Sequence, residues 1–212
     1  PNGGITTTGM TTEMVDLNDI FGAGTVTGVD RSAYGTTNID WFSDPEGFAG
    51  VGTTSLGDID LSTGGGYLFV VNMEDNRLYA IPTSGPLNST TVLRFDIPNP
   101  NVGFSAARMS DIHAFGVGVK GDQVFVGVVD GAESSGSRND LMAYVYQLDF
   151  NEATGTGSFI SSPVLDFPLN FERGFADSRV GTEQSANWQP WQNDFTEFTD
   201  NDQTENYVTN QG

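Results

Sequence analysis

The sequence predicts an all-β protein made of antiparallel strands joined by tight turns. Across its 212 residues, no long stretch shows the apolar period of an amphipathic helix. Glycine is abundant, at 27 residues, which suits a chain that turns often. The third observation is local. Residues 58–82, DIDLSTGGGYLFVVNMEDNRLYAIP, alternate strand-like runs with turn-forming clusters. The length supports one sizeable domain with its own core. Hydrophobic residues make up only 37%, but 15 Phe, 6 Tyr and 3 Trp bring a large buried area each.

Taken in order, residues 1–15 are Thr/Gly-rich without a period and read as an extended linker or edge segment. Residues 16–167 hold the predicted sheet region. It opens with short apolar pieces at 17–21, 26–29 and 39–42, and Asp44-Pro45-Glu46-Gly47 is a strong turn signal. At 58–61, Ile59 and Leu61 alternate with Asp58 and Asp60, as on a half-buried strand. Gly64-Gly65-Gly66 can supply the positive φ of a tight hairpin. Residues 67–71 are a continuous β-branched and aromatic run, as in a strand covered on both faces. Glu74-Asp75-Asn76 makes the next turn and 78–81 the next strand.

Three antiparallel strands joined in this way are most of one β-propeller blade. A second unit follows. Residues 59–71 lie without gaps on 115–127, an offset (115 minus 59) of about 56, above the usual blade period of about 40–45. The excess falls in loops at 82–90 and 130–140. Residues 141–148 match 78–81 in role, and 91–97 and 158–167 are the expected outer strands. Residues 168–212 lose the pattern. They read as an irregular aromatic and acidic segment, either a long aromatic-anchored loop or the approach to a further blade.

Tyr67-Leu68-Phe69-Val70-Val71-Asn72 followed by Asn76-Arg77-Leu78-Tyr79-Ala80-Ile81 resembles the YVTN-type repeat of lactonase-like β-propellers. That repeat has a strand ending in Val/Thr-Asn, a polar turn with Asn, then a strand of Val/Leu and Ile. The whole run, with residues 121–129 and 187–191, looks like propeller regions of large bacterial cell-surface proteins. Tyr207-Val208-Thr209-Asn210 spells the motif but lacks the preceding apolar strand and glycine turn. The resemblance implies an extracellular or cell-surface bacterial protein. Propellers close with four or more blades, so with two clear units either residues 16–57 and 168–212 make degenerate blades or the chain is part of a larger propeller, the reading we favour. A protein partner, further blades of the same polypeptide or a homopolymer would complete it. The start at Pro1 reads as a processed product or part of a longer polypeptide.

The formal net charge is −20, from 28 acidic and 8 basic residues. Such a field repels phosphate backbones and anionic bilayers, which argues against nucleic-acid binding and membrane association. No apolar run is long enough to insert in a membrane. Cysteine is absent, so disulfides, thiolate metal sites and cysteine nucleophiles are excluded. Abundant Thr, Asn, Gly and Asp without Cys suits a secreted protein.

The candidate sites are few. His113, the one histidine, shares strand-face spacing with Asp111 and is a candidate ligand-binding residue. Asp58, Asp60 and Asp111 could place hard oxygen ligands for Ca²⁺ around a propeller channel, or instead accept backbone N–H bonds from a neighbouring blade. Asp200 and Asp202 lie in a run of alternating oxygen donors that could wrap Ca²⁺, although the run lacks the glycine of an EF-hand loop. Asp130, Glu133, Asn139 and Asp140 form a weaker oxygen-rich group. Trp188 and Trp191 can make an aromatic platform for a sugar or plug a loop onto an apolar face. The expected function is a structural or binding module without catalysis. The alternative is a Ca²⁺-dependent lactonase-like or phosphoesterase-like hydrolase using channel carboxylates and a metal-bound water.

Overall fold

A computed structural model describes residues 13–28, 45–175 and 185–192. Its elements in chain order begin with helix α1 (Leu17–Phe21) and helix α2 (Pro45–Gly50). Sheet 1 follows: β1 (Leu56–Leu61), β2 (Tyr67–Asn72), β3 (Arg77–Pro82) and β4 (Leu93–Asp96), antiparallel and in sequence order. Helix α3 (Ala106–Ser110) leads into sheet 2. That sheet contains β5 (Ile112–Lys120), β6 (Gln123–Asp130), β7 (Met142–Asn151), β8 (Thr156–Phe159) and β9 (Leu165–Pro168). Strands β10 (Glu172–Phe175) and β11 (Ser185–Asn187) form a separate two-stranded ribbon. The protein is mostly antiparallel sheet with a few short helices. Among the described residues the two sheets do not close into a ring.

The turns follow the local chemistry. Gly65 adopts φ 77 between β1 and β2, and Gly121, at φ 63, occupies the first central position of the two-residue β5–β6 turn. Asn76 takes the left-handed position, φ 51, at the end of the β2–β3 turn, a role Asn tolerates better than most residues. Asp16 caps α1 by accepting from the Asn18 N–H at 2.8 Å, and Pro45 is the first residue of α2.

Strands β2 and β6 begin at Tyr67 and Gln123, the same offset as the ungapped alignment. The inner strands pair two residues out of step: Leu61 opposes Leu68, whereas Val117 opposes Val126. An even slip keeps each side chain on its face. The single outer strand expected at 158–167 is instead two, β8 on the 148–151 end of β7 and β9 on its 142–145 end. Pro163, with no N–H to donate, sits in the gap between them.

The main core lies between the sheets. Phe69, Val71, Leu78 and Ala80 from sheet 1 pack with Ile112, Ala114, Val124, Val126, Val128, Tyr146, Leu148 and Phe150 from sheet 2. The Phe150 ring meets Tyr67, Phe69 and Phe95 edge-on, with centroids 5.1, 5.0 and 6.1 Å away. The other face of sheet 1 carries Val70, Tyr79 and Ile81 under α1, through Leu17, Ile20 and Phe21. Thus Tyr67–Asn72 is covered on both faces, as its unbroken apolar run predicts. A third cluster, Ala132, Leu141 and Leu169 with Trp188, sits on the far side of sheet 2.

Strand β1 departs from the alternation. Ile59 and Leu61 are the exposed pair, at 56% and 49%, while Asp60 is half-buried. A bulge between Leu56 and Ile59 bends the strand, and its carboxylates turn toward β5.

Candidate functional site

Sheet 1 meets sheet 2 along β1 and β5, and the seam is made by side-chain oxygens on backbone amides. Among the described residues, strand β5 pairs with β6 along one edge and with no strand along the other, where its amides need acceptors. Asp60 Oδ2 accepts from the Val119 N–H at 2.7 Å, and Asp58 Oδ2 from the Val117 N–H at 3.2 Å. The remaining oxygens accept from the Ile59 and Leu61 N–H groups at 2.9 and 2.8 Å. Asn76 Oδ1 continues the row by accepting from the Ala114 N–H at 2.9 Å. A bulge at Phe115-Gly116 changes the parity of the outward amides from Ala114 to Val117 and Val119. Gly57 permits the close approach, since a Cβ there would lie 2.8 Å from the Phe115 carbonyl oxygen.

The motif asparagines are therefore structural as well. Asn72 is buried, donates to the Thr25 carbonyl at 2.6 Å and accepts from the Glu74 N–H at 3.2 Å. At the other end of the seam, Glu152 grips the β1–β2 turn by accepting from the Gly64 and Gly66 N–H groups at 3.0 and 2.6 Å. The Gly66 hydrogen bond holds the Glu152 carboxyl below the usual range. This grip is therefore complete above the ordinary glutamate pKa and fades as pH falls through the lowered one. We expect the Gly66 amide proton resonance to titrate below the ordinary glutamate midpoint, and the transition to vanish in Glu152→Gln. A midpoint at the ordinary value would mean that the bond does not persist in solution.

A buried polar cluster closes the α3 end of sheet 2. Asp111 and Asp130 are almost fully buried. Arg108 reaches both, with N–O distances of 3.3 Å to Asp111 and 2.9 Å to Asp130, and donates to the Asp140 carbonyl at 3.3 Å. Asp111 also accepts from the Ser134 hydroxyl at 2.6 Å, and Asp130 from the Asn101 amide at 2.9 Å and the Ala132 N–H at 3.0 Å. Burial pushes the Asp130 carboxyl above the ordinary range, opposed by the Asn101 and Ala132 hydrogen bonds and the Arg108 charge. The cluster pins the loop after β6, in which Ala132 holds a left-handed φ of 54.

His113 and Trp191 do come together. The rings stack at 5.2 Å and 21°, and His113 Nε2 contacts Glu133 Oε1. The Trp191 backbone N–H donates to the Gly131 carbonyl at 2.7 Å, and the indole ring abuts Gly52. At 9% exposure Trp191 fastens its segment to sheet 2. Trp188 lies elsewhere, edge-on to Phe171 at 5.9 Å, while its carbonyl accepts from Arg138 at 2.9 Å.

Asp58 and Asp60 thus serve the seam and Asp111 serves the Arg108 cluster; the three are not gathered around one point. Among the described residues there is no group of three or more His, Cys, Asp or Glu side chains placed to hold a metal ion. Asp200, Asp202 and the Tyr207-Val208-Thr209-Asn210 motif lie outside the described residues. Also among the described residues, no helix is long and apolar enough to cross a membrane. Arg108, Asn101 and Glu152 are the participants that sequence reading missed, and Asp130 was singled out only as part of an oxygen-rich group with Glu133, Asn139 and Asp140. The one available signal was a charged residue ending the apolar run of β6, at Asp130. Comparison with protein-family models, curated protein sequences and solved structures gave no match.

Proposed function

We propose that the chain is a non-catalytic β-propeller module with a structural or binding role at an extracellular bacterial surface or filament. Its two sheets are neighbouring blades, with β1 and β5 as the innermost strands. The observation that carries this reading is the use made of Asp58 and Asp60. Each spends both carboxylate oxygens on backbone N–H groups, one within its own strand and one in β5. Metal-assisted hydrolysis needs carboxylates free to ligate and an open coordination position. Side chains committed to a seam serve mechanical continuity instead. The Cys-free composition and the blade-like repeat support the same reading.

Thermal melts in added Ca²⁺ and in a chelator test it, with Asp60→Ala as the companion variant. The melting temperature is expected to be the same in both media. Asp60→Ala is expected to cost about 1–2 kcal/mol, the price of leaving the Val119 amide without its acceptor. A large fall in melting temperature on chelation, abolished in Asp60→Ala, would establish a calcium site there and overturn the reading.

A further inference from the structure

We propose that Asn88 is an acceptor for N-linked glycosylation, taking an oligosaccharide from a polyisoprenyl diphosphate carrier as the chain is exported. The proposal rests on the extracellular reading above, because such carriers sit in export membranes. Asn88-Ser89-Thr90 has the Asn-x-Thr spacing with no Pro between, and it is the one such sequence in the chain. So short a pattern arises often by chance, and its place in the fold decides whether it can act.

The loop at 83–92 joins β3 to β4 and is held at two points. Leu87 packs on the cluster of Val70, Tyr79 and Ile81, and Val92 is buried within it. Between these anchors Asn88, Ser89 and Thr90 are all exposed. The Thr91 hydroxyl closes the base by donating to the Pro86 carbonyl at 2.8 Å. The loop therefore presents the three residues outward, where a bulky glycan displaces nothing. The asparagine side chains elsewhere serve the fold. The Nδ2 groups of Asn72 and Asn101 donate to the Thr25 and Arg108 carbonyls, and that of Asn101 also to Asp130. Nδ2 of Asn88 has no such acceptor among the described residues.

The free nitrogen is matched by an engaged oxygen. Asn88 Oδ1 accepts from the Thr90 N–H at 2.9 Å and from the Thr90 hydroxyl at 2.6 Å. Both bonds draw electron density toward the amide oxygen and make the Nδ2–H more acidic. In the transfer, Nδ2 gives a proton to a base of the transferase and attacks C1 of the first sugar. The C1–O bond to the carrier breaks, and the diphosphate leaves with the electron pair. The glycan would stand on the loop that leads into β4, whose outer edge pairs with no strand among the described residues. A hydrated oligosaccharide there obstructs pairing by a foreign strand, as charges or bulges do on other sheet edges.

Secretion of the 212-residue chain behind a cleavable export signal, from a eukaryotic cell that carries the transferase, tests this. The intact mass is expected to exceed that of the polypeptide by one glycan. Peptide N-glycosidase should remove the excess and leave an aspartate at position 88, read by tandem mass spectrometry. Asn88→Gln and Thr90→Val alter exposed side chains, and each is expected to lose the glycan outright while keeping the wild-type melt. Thr90→Ser, which keeps the hydroxyl, should retain it. Translation into microsomes gives the same comparison, as a gel shift, for any form that is not secreted. A wild type that carries no glycan in either setting would overturn the proposal. So would a glycan that persists in Asn88→Gln or Thr90→Val. The added signal supplies export in every arm, so failure of the transfer leaves the extracellular module reading intact, and the calcium melts decide that reading on the unmodified chain.

Discussion

Replacing Arg108 with methionine is expected to destabilise the fold by about 3–5 kcal/mol, because two buried carboxylates lose the cation they share. Asp111 and Asp130 side chains are 2% and 1% exposed, and water cannot substitute for the guanidinium. Arg108→Lys should recover only part of the loss, since one ammonium cannot meet Asp111, Asp130 and the Asp140 carbonyl in the forked geometry of Arg. The pH dependence gives a second readout. Burial already raises the Asp130 pKa, and removing Arg108 raises it further. In that variant the folded state takes up a proton at a pH where the unfolded chain does not. Its stability therefore rises as pH falls from neutral toward the ordinary carboxylate range, and levels off below it. Urea unfolding at about pH 7 and about pH 5 should show the variant closing the gap to wild type. A loss below about 1 kcal/mol at neutral pH would mean that the cluster is hydrated and the pairing weak.

Phe69→Asp is expected to abolish folding, and Phe69→Ala to cost about 3–5 kcal/mol. Phe69 is fully buried, sits at the centre of the intersheet core and meets Phe150 edge-on. A carboxylate introduced there would be buried among the apolar side chains of this core. Leu68 points to the opposite face, where α1 gives thinner cover, and it is half-buried. Leu68→Asp should therefore be the milder lesion, although both residues read as core in the sequence. Circular dichroism and denaturant melts rank the two. A soluble, natively melting Phe69→Asp would overturn the assignment of this strand as the core.

Strand content was legible where residue type settled it. Tyr67–Asn72 is buried on both faces because an unbroken run of Leu, Phe and Val leaves it no solvated side. The hairpins followed from Gly65, Asn76 and Gly121, whose φ values few other residues adopt cheaply. Faces were harder to read. Alternation assigned Ile59 and Leu61 inward, but it cannot register a bulge at 57–58 or a neighbouring strand that needs acceptors. Asp58 and Asp60 won the inward side because unsatisfied β5 amides cost more than two exposed aliphatic side chains. Of the Arg108 cluster, the carboxylates Asp111, Asp130 and Asp140 were singled out in the sequence, but their joining through Arg108 and Asn101 was not legible. Its members come from an interstrand loop, a short helix, the end of β6 and the loop beyond it, and apart from the i,i+3 pair Arg108–Asp111 no sequence spacing links them. His113 and Trp191, both singled out as candidates, stack across a long separation in sequence, yet the contact fastens a segment instead of forming a platform.

The seam also seals one strand edge, that of β5, against foreign strands. An open strand edge templates foreign strands through its free amides. Here Asn76, Asp58 and Asp60 already hold the amides of Ala114, Val117 and Val119. A stray strand approaching that edge finds its donors taken and meets two carboxylates. That edge is therefore closed to the edge-to-edge pairing from which a cross-β repeat of about 4.7 Å grows.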